Sequence, residues 1–175
     1  MPGIADRGLL PPMIRAANNL DFPRILELNE ESVDYLSPLD IDRLTMLHDA
    51  APYHRVIESA GTVQAFLLVL RPGAAYDSAN YTWFSTKYAD FLYIDRIVVS
   101  AQWRGRGAGM SLYEDLFQFA RSSGTKLITC EFDVEPPNPG SERLHRRLGF
   151  KEVGTQPVGG ANKLVSLQAL TLSRD

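Results

Sequence analysis

FLYIDRIVVSAQWRGRGAG, residues 91–109, decides the fold. Its first half, Phe91 to Val99, is an apolar run broken only by Asp95 and Arg96, which predicts a buried strand. A polar turn follows, with Gly105, Gly107 and Gly109 alternating through it. Leu112, Tyr113, Leu116, Phe117 and Ala120 then repeat at helical spacing. The order is buried strand, glycine-rich turn, helix. A helix start presents unpaired backbone N–H groups and the positive end of the helix dipole. Glycine allows positive φ and close approach of a ligand, and arginines supply planar donors suited to phosphate oxygens. Each glycine also costs helix propensity where a helix must begin. Arg104 to Gly109 therefore predicts a polyphosphate site; the alternative is a tight turn with solvated arginines.

Two common phosphate motifs fit poorly. The ATP/GTP loop requires Lys and then Ser or Thr after its last glycine, but Met110 and Ser111 follow Gly109. The dinucleotide fingerprint requires a third glycine where Met110 stands. Glu131 lies at a suitable distance for a ribose-binding acid, so an NAD(P)-dependent enzyme remains a competing reading.

Arg104-x-x-Gly107-x-Gly109, after a strand ending Ile97-Val98-Val99, resembles the pyrophosphate loop of the GNAT superfamily of acyl-CoA-dependent N-acyltransferases. Downstream, Asn138, Ser141, Leu144-His145 and Leu148-Gly149-Phe150 resemble that family's second signature, an Asn before a helix ending in Leu-Gly-Phe.

Composition sets wide bounds. The chain has 175 residues, 45% hydrophobic and 22% charged, with a net charge of −3. These values suit one globular domain over residues 13–175, with residues 1–12 as a loose arm. They give no general attraction to nucleic acid or an anionic membrane. The one cysteine, Cys130, excludes an internal disulfide and a Cys-rich zinc site, and no metal is expected. With no apolar run near membrane-spanning length and no leader pattern, the expected location is cytoplasmic.

Along the chain, Met13 to Ala16 reads as a short strand. Asp21 is expected to cap a helix from Phe22 to about Val33. Ser37-Pro38 reads as a second helix start, continuing through Ile41, Leu44, Leu47 and His48. His48 is expected to be half-buried, with no partner histidine nearby. Val56-Ile57 and Val63 to Leu70 flank a hairpin turn. Ala74 to Asp90, rich in Tyr, Trp and Phe, reads as a long loop. It forms either an aromatic lid over a cleft or a segment pinned by its own rings. Leu127 to Asp133 alternates, with Thr129, Glu131 and Asp133 on one face. Asn138 and Pro139 open the last helix, and Phe150 to Val153 and Lys163 to Leu172 are closing strands. The order predicts an α/β (α+β) domain with a central, mainly antiparallel mixed sheet flanked by helices. The resemblance implies that this sheet is splayed.

The resemblance also implies a ligand and a reaction. Acetyl-CoA would place its pyrophosphate on Arg104, Gly105, Arg106, Gly107, Ala108 and Gly109. Its pantetheine arm would pair with the backbone of Ile97, Val98 and Val99, and Asn138 would hold that arm or simply cap its helix. The thioester would lie in the splay, beside Val99 and near Glu131. A primary amine, on a small molecule or peptide, would then attack directly in a ternary complex. Asp95, acting through water, is the expected base unless it is paired to Arg96; Glu131 is the second candidate. The Val99 amide is the expected oxyanion donor. His145 stands where the family usually has a Tyr acid. It is either the proton donor or a plain surface histidine, with Tyr93 or Tyr113 as substitutes. A non-catalytic acyl-CoA sensor or subunit is the alternative from another class. A homodimer through the last strand is compatible with the pattern.

Overall fold

The computed structural model describes residues 12–160 and 162–173. Apart from Pro12, the expected N-terminal arm lies outside them. Seven strands, β1 (Met13–Ala16), β2 (Tyr53–Ser59), β3 (Thr62–Leu70), β4 (Leu92–Val99), β5 (Leu127–Glu135), β6 (Lys151–Pro157) and β7 (Leu164–Thr171), form one sheet. Their order is β1-β2-β3-β4-β5-β7-β6. The pairings are antiparallel except β4–β5, which is parallel. Five helices, α1 (Phe22–Glu31), α2 (Ile41–Ala50), α3 (Ala79–Lys87), α4 (Ala108–Ser123) and α5 (Pro139–Leu148), cover it. The expected mixed, open sheet is thus present.

The helices divide between the two faces because alternation sends successive strand residues to opposite sides. Phe66, Leu68 and Tyr93 join Ile25, Leu28, Leu44, Leu47 and Phe84 in one core, under α1, α2 and α3. Leu67, Val69, Ile94 and Ile128 join Leu112, Tyr113 and Leu116 in the other, under α4.

β4 and β5 pair only at Leu92↔Ile128 and Tyr93↔Thr129. Beyond those two rungs the strands diverge, and the sheet opens as a wedge. A second irregularity lies on the other side of β4. Leu68 faces Arg96 but Val69 faces Ile94, so Asp95 is the extra residue of a β-bulge. The bulge puts Asp95 and Arg96 on the same face and reverses the alternation beyond them.

Several local expectations need correction. The segment from Ala74 to Asp90 is not all loop, because α3 lies within it. Ser78 caps this helix, and Tyr81 and Phe84 are buried. Its aromatic and β-branched residues have modest helix propensity and show no wide apolar stripe, so tertiary packing supplies the order. The second helix begins at Ile41 rather than Ser37. Asp40 caps it through the Arg43 amide at 2.8 Å, while the Ser37 carbonyl accepts from Asn29 and Arg96. Asp21 makes no side-chain cap on α1. Its carboxylate instead holds Arg15 through two 2.8 Å hydrogen bonds. His48 has a partner after all: its Nδ1 lies 2.8 Å from Nδ1 of His54.

Candidate active site

The β4–β5 wedge opens into a cleft of about 900 Å³. The glycine turn stands at one end. Gly105 and Gly107 have φ of 74° and 81°, a region that L side chains with a Cβ enter at a cost of about 1–2 kcal/mol. Gly107 is the N-cap of α4, and no side chain caps the helix. The first-turn amides are thus left for a ligand. A Cβ on Gly109 would meet Leu144 Cδ2 at 3.4 Å, so that glycine also lets α4 start close to α5.

Arg104 and Gly109 line the cleft, and Arg104 Nε donates to the Val99 carbonyl at 3.4 Å. Gly105, Arg106 and Gly107 are exposed, whereas Ala108 is buried. The Arg106 guanidinium lies over the Trp103 ring, 5.4 Å from the centroid.

Ile97, Val98 and Val99 form one wall of the cleft. The Ser100 amide donates to the Gln64 carbonyl at 2.7 Å, and Val99 faces Ala65 in the register. In an antiparallel ladder that arrangement makes Val99–Ala65 a non-hydrogen-bonded pair. The N–H and C=O of Val99 therefore point away from β3, toward the wedge. The amide is available to an oxyanion or an extended ligand, and the carbonyl, which accepts from Arg104 at 3.4 Å, keeps a second lone pair on that side.

On the α1–α3 face, Asp95 is committed. Its carboxylate lies 2.7 Å from Arg96 Nε, with the two side chains 3% and 2% exposed. The Tyr76 hydroxyl donates to its other oxygen. Arg96 in turn donates to Asn29 Oδ1 at 2.7 Å and to Ser37. The expected base is thus part of a buried ion-pair network that ties β4 to α1 and to the segment before α2. Tyr76, the one ring of the aromatic segment that reaches Asp95, is held in that network. Tyr81 is pinned inside by bonds to the Arg71 carbonyl at 2.5 Å and the Ala74 amide at 3.0 Å. Between the two readings of this segment, the pinned one describes Tyr81 and Phe84.

Glu131 differs from Asp95. Tyr93 donates to Oε1 at 2.8 Å, but the buried Oε2 meets no hydrogen-bond partner among the described residues. Burial pushes its pKa up to about 8, opposed by the Tyr93 bond and reinforced by the nearby carboxylates of Asp95 and Asp133. A carboxyl group poised there is suited to exchange protons near neutral pH.

His145 is not a surface histidine; it is 3% exposed. Its Nδ1 lies 2.6 Å from the Ser141 carbonyl, which can only accept, so Nδ1 carries the proton. Nε2 is then the acceptor for the Tyr113 hydroxyl, 2.5 Å away. Burial lowers the His145 pKa. In this state the ring is neutral and has no proton to offer at Nε2, so the expected acid role does not fit the geometry. Asn138 lines the cleft and caps α5, its Oδ1 accepting from the Ser141 amide at 3.2 Å.

A splayed sheet, an uncapped helix start behind glycines and a buried carboxyl group thus stand around one cleft. The family model for the GNAT acetyltransferase family matches residues 14–150, and this chain belongs to that family. Among curated proteins, L-methionine sulfoximine/L-methionine sulfone acetyltransferase from Pseudomonas aeruginosa is 39% identical over 57 residues. That match spans 33% of this chain and only 32% of the relative's length. Among solved structures, Ard1 from Thermoplasma volcanium superposes with a TM-score of 0.77 at 16% identity, covering 94% of this chain and 100% of that one. The yncA protein from Salmonella typhimurium, solved with its cofactor acetyl-CoA, gives 0.69 at 21%, covering 94% and 95%.

Proposed function

We propose that the protein transfers an acetyl group from acetyl-CoA to a primary amine, with Glu131 as the general base. The observation that carries this reading is the buried, unbonded Oε2 of Glu131, in the same cleft as Arg104, Gly109 and the Val99 backbone. The diphosphate rests on the first-turn amides of α4, and the pantetheine arm runs along Ile97 to Val99. The wedge aims the thioester at the Glu131 side of the cleft. An ammonium has no lone pair for attack, so it must lose a proton, and Glu131 takes it. The tetrahedral oxyanion forms at the Val99 N–H. As the tetrahedral intermediate collapses, the C–S bond breaks and the departing thiolate, conjugate to a thiol of pKa about 8.5, takes up the second amine proton, so that no proton from His145 is needed.

The acceptor enters past Tyr35, Arg43, Tyr76 and Lys163, which line the cleft toward the α1–α2 and β6–β7 segments. A small amino-acid-like amine is favoured over a protein terminus, because the curated relative acts on methionine sulfoximine.

Thiol release from acetyl-CoA with a panel of amines tests the proposal. Turnover should rise with pH through about 8, where Glu131 ionises. Glu131→Gln should lose at least about 100-fold in kcat/KM, in line with general-base contributions. Tight acetyl-CoA binding without turnover on any amine would favour a sensor or subunit instead.

A further inference from the structure

We infer that the acceptor is an α-amino acid: its ammonium group meets Glu131, and its carboxylate is held by Lys163 at the outer end of the same face of β5. The inference rests on the acetyl transfer proposed above and adds the substrate class and the residue that selects it.

The sheet sets the spacing. Glu131 and Asp133 are two residues apart on β5, so their side chains share a face and stand about 6.6 Å apart along the strand. They pair with Leu167 and Val165 of β7, which both belong to the core on the α1–α3 side. Lys163 comes two residues before Val165. Its carbonyl accepts from the Val158 amide at 2.9 Å, which ties the β6–β7 hairpin at its base. Its Nζ reaches Asp133 Oδ2 at 3.1 Å. From the apex of the wedge outward the face therefore reads Glu131, Asp133, Lys163, and all three line the cleft.

Among the described residues, the Arg and Lys side chains that line the cleft are Arg43, Arg96, Arg104 and Lys163. Arg96 is spent on Asp95, Asn29 and Ser37. Arg104 stands at the glycine turn. Arg43 is bonded to Asp77 at 2.8 Å and lies over the Tyr76 ring. Lys163 is within ion-pair reach of Asp133, yet the two are not in hydrogen-bonding geometry, and the buried Oδ2 has no hydrogen bond among the described residues. An ammonium has three donors. Asp133 thus holds Lys163 in place as a cation and leaves donors for a ligand. Glu131 Oε2, likewise without a hydrogen bond among the described residues, is the acceptor at the inner end. An ammonium and a carboxylate on one carbon, each making a charge-assisted hydrogen bond of about 2.8 Å, match that interval and its polarity. A diamine would instead bring its second cation against Lys163, and a singly charged amine would leave Lys163 unused.

The test is kcat/KM for acetyl transfer to a panel of L-amino acids, each set beside its α-carboxamide and a diamine of similar length. The wild-type protein should prefer the free acid over the carboxamide by at least about tenfold, the scale of a hydrogen bond to a charged group. Lys163→Met should raise KM for the free acids and bring the acid-to-amide ratio close to one, and Lys163→Arg should restore part of the preference. Lys163→Met strands the buried Asp133, so the double variant with Asp133→Asn repeats the comparison without that charge. A loss equal for acid and amide in both variants would make Lys163 purely structural and overturn the inference, as would a wild-type preference for carboxamides or diamines. Calorimetric titration of the amino acids into protein saturated with CoA reads the same selectivity without turnover. Lys163-dependent binding in a protein that acetylates no amine would sustain the site and refute the assigned reaction. Absence of amino-acid binding would overturn the inference, and turnover of other amines would then leave the reaction standing.

Discussion

Asp95 and Arg96 are neighbours in sequence, yet their side chains meet on one face of β4, with Nε and Oδ2 2.7 Å apart. Adjacent residues on a regular strand point to opposite faces. The bulge at Asp95 removes that constraint and turns two would-be isolated charges into a buried pair.

Asp95→Asn should therefore act mainly on stability. Removing one member of a buried pair leaves the other uncompensated, at a cost of about 3–5 kcal/mol. Urea denaturation should show this loss. Replacing Arg96 with Met in the same background should recover part of it. A stable Asp95→Asn protein with a lost alkaline-rescuable rate would return the base role to Asp95.

Gly107→Val places a β-branched residue at φ 81° at the N-cap of α4. No atom lies within 4 Å of the added Cβ, so the penalty is conformational, not a collision. The turn should relax away from its phosphate-ready shape and weaken acetyl-CoA binding at least about tenfold by calorimetry, with strain of about 1–3 kcal/mol. Unaltered affinity would separate the turn from coenzyme binding.

Glu131→Gln should stabilise the protein as it inactivates it. The folded-state pKa of about 8 lies above the unfolded value of about 4.3, so the folded protein holds its proton more tightly. Wild-type stability is then lost as pH rises through that window. Gln carries no such charge. The variant's melting temperature should match wild type near pH 5 and exceed it by at least about 4 °C at pH 9, on the basis of about 2–4 °C per kcal/mol.

His54 predicts the opposite slope. Burial, then the neighbouring His48, lowers its pKa to about 3, below the unfolded value of about 6.5. The unfolded chain takes up the proton first, so stability falls as pH drops below about 6.5. His54→Gln should flatten that decline between pH 6.5 and 4 in melting experiments. An unchanged slope would assign acid sensitivity to the carboxylates.

The sequence is most legible where chemistry and periodicity coincide. The strand, glycine turn and α4 can be read because alternating glycines weaken a helix start and so mark a place where the backbone must come close to something else. The acidic face of β5 follows from strict alternation. Much of the rest depends on distance. The helix in residues 79–87 is held by Trp83 on Gly154 and by two buried rings, partners that no local window contains. The pairing of Asp95 with Arg96 depends on a bulge set by β3. The histidine pair escapes a local reading although its members are only six positions apart, because α2 ends and β2 begins between them. The burial of His145 and the Tyr113 hydroxyl at its Nε2, 32 residues away on another helix, are set by packing at a distance.

The wedge has a mechanical consequence. Four strands on one side and three on the other are joined by the two rungs between β4 and β5. A coenzyme arm lodged along Val99 would bridge these halves as a keystone bridges an arch. Cosubstrate loading would then stiffen the scaffold itself, and turnover would alternate between a braced sheet and one free to breathe at its seam.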